Sequence, residues 1–262
     1  MLPTPDTPRL PDSIYPPSED SYLLLDTLSD QEETTFLTDR FKNSVCPLIA
    51  DLGTGSGVLL AMVLAHARTI LGRSDILGMG IDINQDACVY SKETVVENCR
   101  QRETSAGTYL TTINSSLFAG IKPGEIDLLI FNPPYVPTPD VPTVLALGND
   151  SRDAAYQRDA HLLSLSYSGG KDGMEVTNKV LEALSNVLSA RGVAYVLLCK
   201  ANKAGDVIDR IRAWPHDQGH QWEARIVRSS GMQAGWERLI VLRIWRQRVE
   251  DRSTYPSSPT AR

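Results

Sequence analysis

The chain has no C-x-x-C pair; its four cysteines, Cys46, Cys88, Cys99 and Cys199, lie far apart. That spacing argues against a zinc knuckle or a disulfide framework and for free thiols in a reducing compartment. The four histidines, His66, His161, His216 and His220, have no metal-ligand spacing either, so no metal is expected in this chain. Long apolar runs are also missing. The longest, Val58 to Ala65, is far too short to span a bilayer. The first 17 residues carry six prolines and no apolar stretch, unlike a signal peptide. Basic clusters are lacking too, since 26 Lys and Arg face 32 Asp and Glu for a net charge of −6. A protein that grips nucleic-acid phosphates needs clustered positive charge, so neither nucleic acid nor a membrane is the expected partner. The expected location is the cytoplasm, with the nucleus as a second compartment.

What is present suits one large α/β domain: 262 residues, 42% of them hydrophobic, enough to bury a full core. Residues 1–17 read as a Pro-rich arm, 18–245 as the folded domain and 246–262, charged and Ser/Pro-rich, as a disordered tail. Ser18-Glu19-Asp20 reads as a helix start with Ser18 as cap, and Tyr22 to Leu28 supply its apolar face. Residues 29–44 are polar and read as a linker. Strand-like runs then follow at Leu48–Leu52, Ile76–Ile81, Tyr109–Ile113, Ile126–Phe131 and Val193–Cys199. Helical stretches sit between most of them, at 56–71, 85–102 and 173–190. In the last, Val176, Val180, Leu181, Leu184, Val187 and Leu188 keep the helical period. Strands separated by helices imply right-handed crossovers and a parallel sheet covered on both faces. Gln221–Arg228 and Glu237–Trp245 also read as extended, but too few residues separate them for a crossover, so they should pair antiparallel. The expected fold is therefore doubly wound α/β, a mainly parallel seven-stranded sheet closed by an antiparallel hairpin.

The first strand runs into Asp51-Leu52-Gly53-Thr54-Gly55-Ser56-Gly57. Gly53, Gly55 and Gly57 let the backbone turn sharply and approach a ligand closely. The spacing is G-x-G-x-G; Val58 occupies the place where a dinucleotide fingerprint needs glycine, and no G-K-[ST] follows. Asp51 at the mouth would repel a pyrophosphate and welcome an ammonium. Asp82 ends the second strand, where a carboxylate can accept both hydroxyls of a ribose. Loop and acid together read as the methionyl and ribosyl ends of an S-adenosylmethionine site. A glycine turn alone is as often only structural.

Asn132-Pro133-Pro134-Tyr135 follows the strand Ile126–Phe131. The tetrapeptide resembles the catalytic motif of amino-methyltransferases acting on adenine N6, cytosine N4 or glutamine N5. Taken with Pro17-Ser18-Glu19-Asp20-Ser21-Tyr22-Leu23-Leu24-Leu25-Asp26 and Tyr167-Ser168-Gly169-Gly170-Lys171-Asp172-Gly173, the chain resembles the eukaryotic HemK-like glutamine methyltransferases. The likeness runs from about Tyr15 to Trp245. The resemblance implies the class I methyltransferase fold and N5-methylation of the glutamine in a Gly-Gly-Gln motif of the class I translation termination factor. It also implies a heterodimer with a small zinc-binding activator. By position, Ser21, Asp51, Gly53, Asp82 and Asn132 match residues that touch cofactor or substrate in relatives, with Gly55 and Gly57 in the same loop. Ser116 stands where relatives commonly carry an Asp on the adenine amino group.

An amide nitrogen is a poor nucleophile, and its two N–H donors lie in one plane. The Asn132 side-chain oxygen and the Pro133 carbonyl can take one hydrogen each, Pro133 and Pro134 stiffen the loop, and Tyr135 can stack on the flat amide. In methyltransferases of this fold the third strand is a sheet edge. Here that is Tyr109-Leu110-Thr111-Thr112-Ile113, with no charge or proline to blunt it, an edge open to strand addition by the activator. The alternative is that the amino-terminal arm or a loop covers it. Asp150, Arg152, Asp153, Arg158 and Asp159 read as a solvated loop face. An adenine-N6 methyltransferase on DNA or RNA is the alternative function, protein lysine methylation an additional activity, and a silent scaffold the third reading.

Overall fold

The computed structural model describes residues 2–43, 45–102, 105–143, 152–215, 219–231 and 238–249. Two helices, α1 (Glu19–Leu28) and α2 (Gln31–Phe41), precede the alternating part. There, β1 (Leu48–Leu52), α3 (Val58–Ala65), α4 (Ala67–Leu71), β2 (Leu77–Asp82), α5 (Gln85–Arg100), β3 (Thr108–Asn114) and β4 (Ile126–Phe131) follow in turn. Then come α6 (Arg152–Leu165), α7 (Glu175–Val187), β5 (Leu188–Cys199), α8 (Ala204–Arg212), β6 (His220–Ser229) and β7 (Leu239–Arg248). The seven strands lie in the order β3-β2-β1-β4-β5-β7-β6. All neighbours are parallel except β5–β7 and β6–β7, as expected from the short connection at the end.

Successive sheet residues feed opposite layers. Leu128 and Ile130 join one core with α1 to α5, while Leu129 and Phe131 join the other with α7 and α8. This is why β4 is apolar at nearly every position: a parallel strand covered on both faces has no solvent side.

Several expectations need correction. Residues 29–44 contain helix α2, not a linker: Asp30 caps it by accepting from the Glu32 amide, and Glu33, Leu37 and Phe41 bury one stripe. The polar composition hid it because the buried Glu33 reads as a surface residue. The stretch 56–71 is two helices broken at His66. Strand β5 starts at Leu188 rather than Val193, and α7 ends at Val187 rather than at 190. Ser18 occupies the α1 cap position, but its side chain makes no capping hydrogen bond. Helices α6 and α8 were not anticipated, and α6 replaces the expected loop over 152–159. Asp150 lies outside the described residues. Strand β7 continues to Arg248, past the expected boundary at 245, and residues 250–262 lie outside the described part.

The amino-terminal arm has no regular secondary structure, yet it is anchored. The Asp6 amide donates to Asn98 Oδ1 and the Asp6 carbonyl accepts from Asn98 Nδ2, so the arm lies along α5. Farther on, the buried Ser13 donates to Asp86, and its carbonyl accepts from Asn84.

Candidate active site

Strand register brings the expected site together. Leu52 pairs with Ile81 on one side and with Phe131 on the other. The next residue on each strand is therefore Gly53, Asp82 and Asn132, one row at the carboxyl ends of three adjacent parallel strands. The chain steps from β1 outward to β2 and β3, then returns across β1 to β4. Ligands of open α/β sheets bind at such a reversal point.

The glycine loop is tied into this row by its own amides. Gly53 and Thr54 donate to the Ile81 carbonyl at 2.7 and 3.2 Å. The Gly55 amide donates to Asp82 Oδ2 at 2.9 Å, and the Asn84 amide to Asp82 Oδ1 at 2.8 Å. Gly57, at φ +79°, has no room for a side chain: a Cβ there would stand 2.7–2.8 Å from Ser91 on α5. Asp51 is 1% exposed and accepts from the Thr54 hydroxyl at 2.7 Å through Oδ2. Its other oxygen, Oδ1, is buried without a hydrogen-bond partner among the described residues. Burial pushes the Asp51 carboxyl up to about 7; the Thr54 bond opposes the rise and the Asp82 carboxylate adds to it. Burial also raises Asp82, against the pull of the Asn84, Gly55 and Ile83 amides.

At β4 the loop Asn132–Tyr135 leaves the sheet directly opposite Gly53, whose Cβ, if present, would lie 4.0 Å from the Asn132 carbonyl oxygen. Asn132 Oδ1 is buried and, like Asp51 Oδ1, lacks a partner among the described residues. Stranding a buried acceptor costs about 1–3 kcal/mol. Two such oxygens in one crevice mark places where a bound ligand's donors belong. A cation near Asp51 and an NH₂ group at Asn132 fit these two acceptors, so the residues present suit the expected S-adenosylmethionine and a planar amino acceptor.

The remaining expected site residues are less closely joined. Ser21 is buried in the first turn of α1, where its amide and hydroxyl both donate to Asp20 Oδ1. Ser116 is exposed on the turn after β3, which the Ser115 amide and Asn114 Nδ2 tie to the Asp82 carbonyl. Pro133 is buried, whereas Pro134 and Tyr135 are half-buried, with Tyr135 packed on the helical core. Sequence reading missed the partners that fix these groups, Thr54 and Asn84. Both sit in a detectable place, three residues after Asp51 and two after Asp82. Arg158, expected on a solvated loop face, lies on α6. It pairs with Asp86 at 2.8 Å, on the oxygen that accepts from Ser13, and so joins α6, the arm and the start of α5 beside Asp82. Strand β3 is the sheet edge: among the described residues it pairs only with β2, and Leu110 is 48% exposed. No three His, Cys, Asp or Glu side chains converge among the described residues, and no helix there is long and apolar enough to cross a membrane.

Comparison with known proteins agrees with this geometry. Residues 28–146 match the methyltransferase small domain, a span that contains the glycine loop, Asp82 and the Asn132–Tyr135 motif. The catalytic subunit mtq2 of the eRF1 methyltransferase of Schizosaccharomyces pombe is 31% identical over 254 residues, 94% of this chain and 96% of that one. The chain belongs to the HemK-like methyltransferases. Within this HemK-like group, the mouse methyltransferase HEMK2 is 30% identical over 230 residues, 88% of each chain. A putative protein N5-glutamine methyltransferase of Methanocaldococcus jannaschii is 26% identical over 239 residues, 91% of this chain and 94% of its own. The HemK-like enzyme described here is thus matched over 94% of its length by the fission yeast protein.

Proposed function

We propose that this enzyme methylates the side-chain nitrogen of the glutamine in the Gly-Gly-Gln motif of the eukaryotic class I translation termination factor. In this reading it uses S-adenosylmethionine and acts in the cytoplasm as the catalytic subunit of a heterodimer with a small zinc-binding activator. The observation that carries the reading is the unpartnered, buried Asn132 Oδ1 beside the glycine loop. The names of the fission yeast and archaeal relatives supply the substrate class.

S-adenosylmethionine, when bound, supplies an electrophilic methyl group on a sulfonium. Asp51 would hold the cationic amino-acid end and Asp82 the ribose, each carboxylate already oriented by Thr54, Gly55 and Asn84. Asn132 Oδ1 and the Pro133 carbonyl would accept the two in-plane amide hydrogens, leaving the nitrogen lone pair, perpendicular to that plane, to face the methyl. Prepositioning of this kind is worth about 7–11 kcal/mol of barrier at its best. The alkylated nitrogen sheds a proton readily, so no strong base is needed. The net charge of −6 disfavours the adenine-methylating alternative, which must hold a polyanion.

The test is transfer of labelled methyl to the termination factor, to its Gly-Gly-Ala variant and to duplex DNA, with and without the activator. Label on the first alone is expected. Label only on DNA would overturn the assignment, and label nowhere would leave a scaffold.

A further inference from the structure

The Asn132–Tyr135 loop contains two prolines, so it has few amides with which to anchor itself. It is held instead by its carbonyls. The Tyr135 carbonyl oxygen accepts from Asn202 Nδ2 at 3.3 Å and from Cys199 Sγ at 3.8 Å. Asn202 lies in the turn between β5 and α8 and is 3% exposed. Its Nδ2 also donates to the Asp172 carbonyl at 2.8 Å and reaches Gly173 O at 3.4 Å, while its Oδ1 accepts from the Cys199 amide at 2.7 Å. One buried carboxamide therefore joins three segments: the end of β5, the Asn132–Tyr135 loop and the turn before α7.

Two further features converge on this amide. Asp172 and Lys203 hold positive φ angles of 56° and 53°, conformations that side-chain-bearing residues adopt only where surrounding structure compels them, most often near functional sites. The Asp172 carbonyl accepts from Asn202 Nδ2, and Lys203 follows Asn202 in sequence. Gly173, at φ +67°, has the loop pressed against it, since a Cβ there would collide with the Tyr135 carbonyl oxygen. A Cβ on Gly169 would likewise strike the Pro134 carbonyl. The loop is thus pinned between a glycine-lined turn and a single side chain.

We propose that Asn202 is a positioning residue for methyl transfer: by fixing the Tyr135 peptide plane it sets the Pro133 carbonyl and the Tyr135 ring relative to the Asn132 acceptor. Asn202 itself touches no substrate. The inference rests on the function proposed above for the Asn132–Tyr135 loop. Asparagine suits the task because it offers two donors and an acceptor in one plane. Aspartate keeps the size and the Cys199 contact but turns an oxygen toward three carbonyl oxygens.

The test compares Asn202→Ala and Asn202→Asp with the unaltered enzyme and with Lys203→Gly, which relaxes the turn while leaving the carboxamide in place. Turnover is expressed per cofactor-binding site, so that unfolded molecules do not count, and hydrogen exchange is followed at the Tyr135, Val136 and Thr138 amides. Both Asn202 variants should lose about 10- to 100-fold in kcat, with KM for the protein acceptor and cofactor affinity unchanged and with faster exchange at those amides. Lys203→Gly should match the unaltered enzyme. Equal turnover per bound cofactor, or a loss confined to KM or to the number of binding-competent molecules, overturns the proposal. If the unaltered enzyme labels no glutamine, the proposed function falls. Exchange then decides the clamp by itself: acceleration in the variants retains it, and unchanged exchange removes it.

Discussion

Asp51 and Asn132 each bury one oxygen that has no hydrogen-bond partner among the described residues, and each carries a prediction at the scale of a single residue. Asn132→Ala should leave cofactor affinity as it is and lower kcat by about 100-fold, since its acceptor counts only when the amide is being aligned. Single-turnover kinetics beside cofactor titration check this, and near-normal turnover would remove Asn132 from the mechanism. Asp51 makes binding pH-dependent. Its carboxyl ionises at about 7 in the free protein against an ordinary 3.8, so the protein alone loses this contribution to stability as pH rises from about 4 through 7. A cationic ligand needs the ionised form. Cofactor affinity should therefore climb as pH goes from 6 to 8, with proton release on binding, and Asp51→Asn should bind weakly with a flat profile. Calorimetry in buffers of different ionisation enthalpy measures both quantities; pH-independent binding by the unaltered protein would refute the cation site.

At the scale of elements, β3 has the most to tell. It is seven residues long, pairs among the described residues with β2 alone, and leaves Leu110 exposed. The amino-terminal arm does not cover it, because that arm is bonded along α5 through Asn98. Apart from a bulge at Leu110, this edge carries none of the charges or prolines that blunt strand addition. Replacing the exposed Leu110 by Lys should weaken co-purification with the proposed activator while the isolated chain still binds cofactor. A complex of unchanged strength would place that partner elsewhere. The glycine-loop elements were legible beforehand because their signals are local: strand, Asp51-to-Gly57 turn and helix are contiguous. Helix α6 was not. Its hydrophobic face is weak, and Arg158 finds its carboxylate 72 residues away on Asp86.

For the whole molecule, one buried ion pair holds the amino-terminal helices to the far half of the sheet. Glu33 of α2 accepts from Arg243 of β7 at 2.8 and 2.9 Å and from the Tyr195 hydroxyl of β5 at 2.5 Å. The Arg243 guanidinium sits 3.7 Å from the Phe36 ring centroid and 4.6 Å from that of Trp245. Removing one partner of such a pair strands the other charge. Glu33→Ala should cost about 3–5 kcal/mol in urea unfolding, whereas Glu33→Leu with Arg243→Met should recover most of it. Equal losses in the two would show that packing, not the uncompensated charge, sets the cost. Because Glu33 and Arg243 are 210 residues apart, composition made α2 look like a linker; the distant pairing explains why a charged residue stands in its buried stripe.

The linear order of residues was enough to determine the strand–helix alternation, the closing hairpin, and the two motifs proposed to meet ligand, since each is written locally along the chain. Tertiary structure alone decided that Gly53, Asp82 and Asn132 share one row. It also left two oxygens unsatisfied and turned a buried Glu33 and Asn202 into fasteners. Those outcomes depend on which strands lie side by side and on partners far away along the chain, and a polar residue carries no local mark of whether water or a distant side chain will satisfy it.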